Sequence, residues 1–162
     1  MKVPATLKST LALLLGITTL SLAPSPSFAA TTSAPIAVSA TVVATCIVSA
    51  TGMGFGNYTG AVANATSTVT VQCTNSTPYT VALDAGTSAG STVAARKMTG
   101  AVGVFLNYGL FSDSGRSANF NTTASITGNG LGQPITVYGQ VPAGQYVAPG
   151  SYTDTVTATV TY

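Results

Sequence analysis

The feature that most constrains the fold is a period-two alternation of apolar and polar residues, which recurs in short stretches from residue 36 to the last residue. Successive side chains of a β-strand point to opposite faces of the sheet, so this alternation is typical of half-buried strands. In the final stretch threonine occupies every second position. The alternating stretches are residues 36–43, 68–72, 79–84, 102–108, 135–139 and 152–162.

Turn-forming residues separate these stretches. Clusters that contain glycine, proline, asparagine or aspartate occur at residues 52–54, 59–60, 75–78, 86–90, 99–100, 113–115, 128–130 and 148–150. Such residues adopt the backbone angles that tight turns require. No helical stripe of useful length and no internal repeat follows residue 29. The pattern therefore predicts one all-β domain, a sandwich or a barrel.

The N-terminus is typical of a signal peptide. Lys2 and Lys8 make it basic, and residues 11–22 form an apolar run. That run is shorter than the roughly 20 residues that span a bilayer. Cleavage is expected after Ala29, which leaves residues 30–162 as an exported mature chain; an uncleaved anchor is the alternative.

The charged residues exclude several classes of function. The chain contains no histidine, and its three acidic residues are Asp84, Asp113 and Asp154. It therefore has no histidine-based acid–base pair, no Ser-His-Asp triad and no histidine zinc site. The aspartates are far apart in sequence, so structural roles are expected rather than a Ca²⁺ site. We expect no enzyme activity, no metal and no cofactor.

A formal net charge of +2 at pH 7 gives no basic surface for nucleic acid. Only 5% of the residues are charged, which is unusual for a protein that must stay soluble alone. This composition suits a subunit of an assembly.

Cys46 and Cys73 are the two cysteines of the chain. In an exported protein an even pair predicts a disulfide. Their spacing is too long for a CxxC redox motif, and two thiolates alone make a poor metal site. On the chain-entropy model, closing the loop between them stabilises the fold by about 3.5 kcal/mol.

The two ends of the mature chain predict an unfinished sandwich. Residues 152–162 run to the end of the sequence, so no later strand is expected to pair with their open side. A sandwich that lacks its closing strand exposes an edge and an apolar groove, which proteins normally cover. Residues 36–43 form an extra alternating stretch before the first cysteine. Such a strand can fill the groove of a neighbouring copy by β-strand addition.

Several segments of residues 36–162 together carry a family resemblance. They are Ala44-Thr45-Cys46, Phe55-Gly56-Asn57-Tyr58, residues 69–73 with the second cysteine, residues 79–86, Arg96-Lys97-Met98, residues 106–113, residues 138–142 and Pro149-Gly150-Ser151-Tyr152-Thr153-Asp154-Thr155-Val156. In this order they resemble the spore coat protein U domain family, which includes subunits of archaic, Csu-type chaperone–usher pili.

The resemblance implies an incomplete immunoglobulin-like β-sandwich that a donor strand completes. In such pilins a periplasmic chaperone lends the missing strand, and the N-terminal extension of the next subunit replaces it at the outer-membrane usher. The implied divisions are a signal peptide (1–29), an N-terminal extension (30–45) and a pilin domain (46–162). By position the donor strand spans residues 35–45. Its groove-filling side is Ile36, Val38, Ala40 and Val42; the opposite phase, Ala37, Ser39, Thr41 and Val43, is less apolar.

These observations favour a structural pilin that polymerises by donor-strand exchange into cell-surface fibres for adhesion and biofilm formation. Its expected partners are neighbouring pilin subunits, a periplasmic chaperone and an outer-membrane usher. The alternative is a non-fibrous coat or matrix protein of the same fold, whose own N-terminal strand fills its groove. A tip adhesin would carry an extra receptor domain, for which the mature chain leaves no room.

Overall fold

The computed structural model describes residues 27–162, and the expected signal-peptide run at residues 11–22 lies outside them. Residues 27–39 are the described part of one unit; they are exposed and belong to no strand or helix. Residues 40–162 form a second unit, the folded domain. In the described part of the chain, no helix has the length and apolar character needed to cross a membrane.

Within residues 40–162 the regular structure is eight β-strands and one turn of 3₁₀ helix at Ala101–Gly103. The strands are β1 Cys46–Ala50, β2 Ala63–Cys73, β3 Pro78–Leu83, β4 Arg96–Thr99, β5 Phe105–Phe111, β6 Ile126–Thr127, β7 Gln133–Val141 and β8 Ala158–Thr161. They form a five-stranded sheet in the order β1-β2-β7-β5-β4 and a three-stranded sheet in the order β6-β3-β8. All pairs are antiparallel, which confirms the predicted all-β fold class.

The core lies between the two sheets and follows the predicted alternation. In the large sheet Val69 pairs with Ile135 and Val71 with Gln133, so alternate residues of β2 and β7 face inward together. The buried residues include members of both sheets: Val69, Val71, Tyr79, Val81, Leu83, Val137 and Val141. Burying each large apolar side chain contributes about 1.5–3 kcal/mol, so this interface holds the immunoglobulin-like sandwich together.

A disulfide joins the first residue of β1 to the last residue of β2. Cys46 and Cys73 are directly opposite in the ladder, with their Cα atoms 4.1 Å apart, and the predicted bond between them is present. The ladder continues one step further, because the N–H of Thr74 donates to the carbonyl of Thr45 at 3.0 Å. The chain before Cys46 therefore keeps the direction of β1.

A buried arginine connects β4 to the loops beside it. Arg96 has no exposed surface. Its guanidinium donates to the carbonyls of Asp84 (2.7 and 2.9 Å), Val93 (2.8 Å), Leu83 (3.2 Å) and Phe120 (3.2 Å). A buried charge is tolerated only when its hydrogen-bonding capacity is satisfied, and these four carbonyls meet that need.

Two predicted strands differ from the structure. The alternation at 102–108, broken by Phe105, predicts a strand there, but the chain makes its 3₁₀ turn at Ala101–Gly103 and β5 begins only at Phe105. Gly103 has a φ of 73°, a left-handed conformation that ends the turn and that glycine adopts without strain. The stretch 152–162 forms a regular strand only from Ala158 to Thr161, because residues 153–157 leave the β3 ladder.

Candidate functional site: an open groove between the sheets

A groove lies between the sheets where their edge strands β1 and β8 approach each other. Among the described residues β1 pairs only with β2 and β8 only with β3, so the facing edges of both strands lack a ladder partner. A cavity of about 380 Å³ lies here, and a second of about 820 Å³, between residues 53–60 and 145–153, shares part of its lining. We call residues 50–60 the first wall and residues 145–158 the second wall.

Inward-facing side chains are much less buried along the groove than in the centre of the sandwich. Val71 and Val81 have no exposed surface, whereas Val48, which pairs with Val71 in the neighbouring edge strand, is 45% exposed. Every inward residue of the C-terminal segment is only partly buried: Tyr152, Asp154, Val156, Ala158 and Val160. One additional strand between the walls would bury these positions.

Part of the main chain of both walls also lacks partners. Within the described residues, no hydrogen bond reaches any backbone N–H or C=O of residues 52–59 in the first wall, and none reaches those of Val156 in the second. Backbone groups next to a core are nearly always paired, because an unpaired one costs about as much as a lost hydrogen bond. The first wall and Val156 therefore present free donors and acceptors on opposite sides of the groove.

Side chains of the first wall cover the core at Gly139 in β7. A Cβ atom built on Gly139 would collide with the sulfur of Met53 and with the ring of Phe55. Phe55 in turn packs against Tyr108, with ring centroids 6.1 Å apart. Only glycine at this position lets Met53 and Phe55 approach β7 this closely.

We expect Gly139→Ala to lower the free energy of unfolding by about 1–3 kcal/mol, because both side chains must move to admit one methyl group. Urea unfolding of the purified chain measures this. Gly52→Ala is the matched control, since a Cβ on Gly52 meets no atom within 4 Å. Equal unfolding midpoints for the two variants would contradict the packing described for the groove floor.

The end of the groove near residue 60 is closed by hydrogen bonds. The Tyr58 hydroxyl donates to the carbonyl of Pro142 and accepts from the N–H of Gln145 at 3.2 Å. The Gln145 side chain accepts from the N–H of Asn107 at 2.8 Å and donates to its carbonyl at 2.9 Å, as a neighbouring strand would. These contacts fix where the second wall begins.

Two aspartates hold the middle of the second wall. The Asp84 carboxylate accepts from the N–H of Thr157 and of Gly86, both at 2.9 Å. Burial raises the pKa of Asp84, but those hydrogen bonds and the charge of Arg96 outweigh it, so the pKa lies below its usual value. The carboxylate therefore stays ionised, and able to accept these bonds, in mild acid.

Asp154 lies on the second wall itself and faces the loop after β3. Its carboxylate accepts from the N–H of Thr87 (2.9 Å), the N–H of Ser88 (3.2 Å) and the hydroxyl of Tyr108 (2.7 Å). Burial, and then the bond to Asp154, raises the pKa of Tyr108 well above its usual range, so this phenol remains a donor. The sequence predicted structural roles for the three aspartates. Their spacing gave no sign that Asp84 and Asp154 share one loop, while Asp113 caps its own loop at Ser117 and Ala118.

The residues predicted for the donor strand are exposed. Ile36, Val38 and Val42 are 86%, 90% and 85% exposed, Ala40 is also exposed, and none belongs to a strand. Soluble proteins rarely expose several apolar side chains together. Such a group usually marks a site of interaction with another molecule. Their role as a donor strand stays a prediction.

Comparisons with known proteins identify the family. A model of the Spore Coat Protein U domain matches residues 32–159. Protein U of Myxococcus xanthus is 36% identical over an alignment of 159 positions, which covers 85% of this chain and 89% of that protein. A solved structure of a CsuC-CsuE chaperone-tip adhesion subunit pre-assembly complex, from archaic chaperone-usher Csu pili of Acinetobacter baumannii, matches with a TM-score of 0.56 and 25% identity. The match covers 75% of this chain, which spans 40% of the solved chain. The chain thus belongs to the Spore Coat Protein U domain family.

Proposed function

We propose that this chain is a structural pilin subunit whose groove binds the N-terminal donor strand of another copy, so that copies join into a surface fibre. The observation that carries the proposal is the groove itself, an apolar channel with unpaired backbone on both sides. A β-strand is the ligand that satisfies both features at once, through main-chain hydrogen bonds and alternate side chains. The similarity to a pilus subunit of a chaperone–usher system supports the same function.

The length and pattern of the donor segment suit strand addition. Residues 35–45 are eleven residues, and an extended chain of that length covers about 36 Å. Burying Ile36, Val38 and Val42 contributes about 5–9 kcal/mol before the cost of association. Each added main-chain hydrogen bond contributes about 1 kcal/mol more. A donor strand bound in the groove of another copy would therefore dissociate slowly.

The local chain direction favours binding in another copy over binding in the same copy. Filling its own groove would require the chain to reverse just before β1, yet Thr45 continues along β1 beside Thr74. Residues 36–45 contain no glycine, proline, asparagine or aspartate, the residues that tight reversals use. The coat-protein hypothesis depends on that reversal and is the weaker one. Strand donation in one direction is head-to-tail and gives an open filament.

The proposal includes a route to the surface. Residues 1–29 act as the signal peptide, residues 30–45 as the N-terminal extension and residues 46–162 as the pilin domain. A periplasmic chaperone protects the groove, an outer-membrane usher assembles the fibre, and the fibre serves adhesion and biofilm formation. The role is structural, without catalysis. The disulfide supports assembly in an oxidising compartment.

The test compares single charges on the two faces of the donor segment. In cells that carry the neighbouring genes, the unaltered chain is expected to give a ladder of oligomers on unboiled denaturing gels. Val38→Asp should reduce the ladder at least tenfold, because it places a charge in an apolar channel. Ser39→Asp adds the same charge to the opposite face and should leave the ladder intact. Deleting residues 30–45 should remove it.

Two results would contradict the proposal. A ladder that survives deletion of residues 30–45 would mean that copies associate through another surface. If the unaltered chain were exclusively monomeric and its residues Ile36 and Val42 were protected from proteolysis, the result would instead support a coat protein whose own N-terminal strand fills its groove.

A further inference from the structure

We infer that Asp84 and Asp154 are positioning residues that hold the second wall of the groove in a strand-accepting shape before any strand arrives. This inference rests on the proposed function, because it concerns how the same groove captures its strand. The starting observation is that part of the second wall belongs to no β-ladder and is attached to the domain through carboxylates.

The ladder of the second wall is interrupted for four residues. The pairing of β8 with β3 ends at Ala158, opposite Leu83. Thr153 pairs instead with Thr99 of β4, in the other sheet, through bonds of 2.8 and 3.1 Å. Residues 154–157 therefore cross from one sheet to the other with no neighbouring strand to hold them, directly beside the apolar lining of the groove.

Asp84 replaces the missing neighbour at one end of this interval. Its N–H donates to the carbonyl of Thr157 at 3.1 Å, and its carboxylate accepts from the N–H of Thr157 at 2.9 Å. Both main-chain groups of Thr157 are thus satisfied on the side away from the groove. The carbonyl of Asp84 is itself bound by the buried Arg96 at 2.7 and 2.9 Å, so this support is rigid.

Asp154 holds the other end of this interval, because its carboxylate points toward the interior of the domain. Its bonds to Thr87, Ser88 and Tyr108 tie the wall to the loop after β3 and to β5. The loop approaches so closely that a Cβ on Gly86, which has a φ of 84°, would collide with the Asp154 carboxylate. With both ends fixed, the backbone of Val156 between them is left without a partner and is available to an incoming strand.

Without the bonds to Asp84 and Asp154, the second wall would be expected to collapse into the groove. Its lining is apolar, and an unsupported wall gains burial by collapsing onto Leu83 and Leu110 below it. Reopening the wall would then slow every encounter with a strand. A wall held open beforehand avoids that step, which is the advantage of preorganisation in binding.

The experiment measures strand capture by the full chain carrying Val38→Asp, which disables its own donor segment. The probe is a fluorescent synthetic peptide of residues 35–45, and stopped-flow anisotropy gives its association and dissociation rates. Asp84→Ala and Asp154→Ala remove every acceptor of these carboxylates, and each should slow association at least fivefold while dissociation stays within twofold, because the bound peptide itself then supports the wall. Tyr108→Phe removes a single bond to Asp154 and should slow association two- to threefold.

Asp113→Ala is the matched control, since the Asp113 carboxylate accepts only within its own loop at residues 117–118. Unchanged association in Asp84→Ala and Asp154→Ala would overturn the inference, as would equal slowing by Asp113→Ala or faster dissociation that accounts for the whole effect. If Asp154→Ala fails to fold, Tyr108→Phe decides the matter by the same rates. A chain that captures no peptide even with all aspartates intact contradicts the proposed function instead.

Discussion

Replacing Arg96 with alanine is expected to prevent the chain from accumulating in folded form. The guanidinium is fully buried and satisfies four carbonyls, those of Leu83, Asp84, Val93 and Phe120. Removing it leaves these acceptors buried without a donor, at about 1–3 kcal/mol each. The total approaches the whole stability of a small domain, about 5–15 kcal/mol. Soluble periplasmic yield and urea unfolding measure the loss.

The neighbouring residue provides the control for this substitution. Lys97 lies over the ring of Phe105 at 5.3 Å and makes a cation–π contact at a partly exposed site. Such a contact contributes about 0.5–1 kcal/mol, so Lys97→Ala should remain folded. Arg96→Lys keeps the charge but supplies fewer donors in another geometry, and it should fall between the two. Equal stability of Arg96→Ala and Lys97→Ala would show that the four carbonyls find other partners.

The second large effect is expected from the disulfide. Replacing both Cys46 and Cys73 with serine should lower the free energy of unfolding by about 3.5 kcal/mol, because the bond closes a loop with a sequence separation of 27 residues. Chemical denaturation of the oxidised chain and of the double variant gives the difference.

Reduction of the unaltered chain is the internal control for that measurement. A reducing agent should shift the unfolding midpoint by the same amount as the double substitution and should not affect the double variant further. If reduction leaves the unfolding midpoint of the unaltered chain unchanged, the disulfide does not contribute to stability and the hydrogen bonds between β1 and β2 are sufficient.

Alternation in the sequence was sufficient to predict the sandwich and most of its core. The inward positions of the stretches around Val69, Val81 and Val137 are buried as the period-two pattern requires. The pattern failed where strand partners change. Residues 152–162 alternate throughout, yet only Ala158–Thr161 forms a ladder strand, because alternation reports which face is buried and not what the backbone pairs with.

The existence of a groove could be predicted from the sequence, whereas the side chains that fix its shape could not. A missing strand follows from the alternating segment before the first cysteine and from the family resemblance. The hydrogen bonds that Asp84 accepts from Thr157 and Asp154 accepts from Thr87 join residues about 70 positions apart in the chain and have no local signature. The segment Pro149-Gly150-Ser151-Tyr152-Thr153-Asp154-Thr155-Val156 was part of the family resemblance, but it gave no indication of what the Asp154 carboxylate binds.

The position of the disulfide has a mechanical consequence for a fibre built as proposed. Tension along such a fibre would enter each subunit through Thr45 and pull on Cys46, the first residue of a five-residue edge strand. Hydrogen bonds pulled from one end break in succession, and β1 would unzip. The disulfide between Cys46 and Cys73 instead transmits the force directly to β2. That strand lies inside the five-stranded sheet, between β1 and β7. A reduced fibre should therefore stretch and yield at forces that an oxidised one withstands.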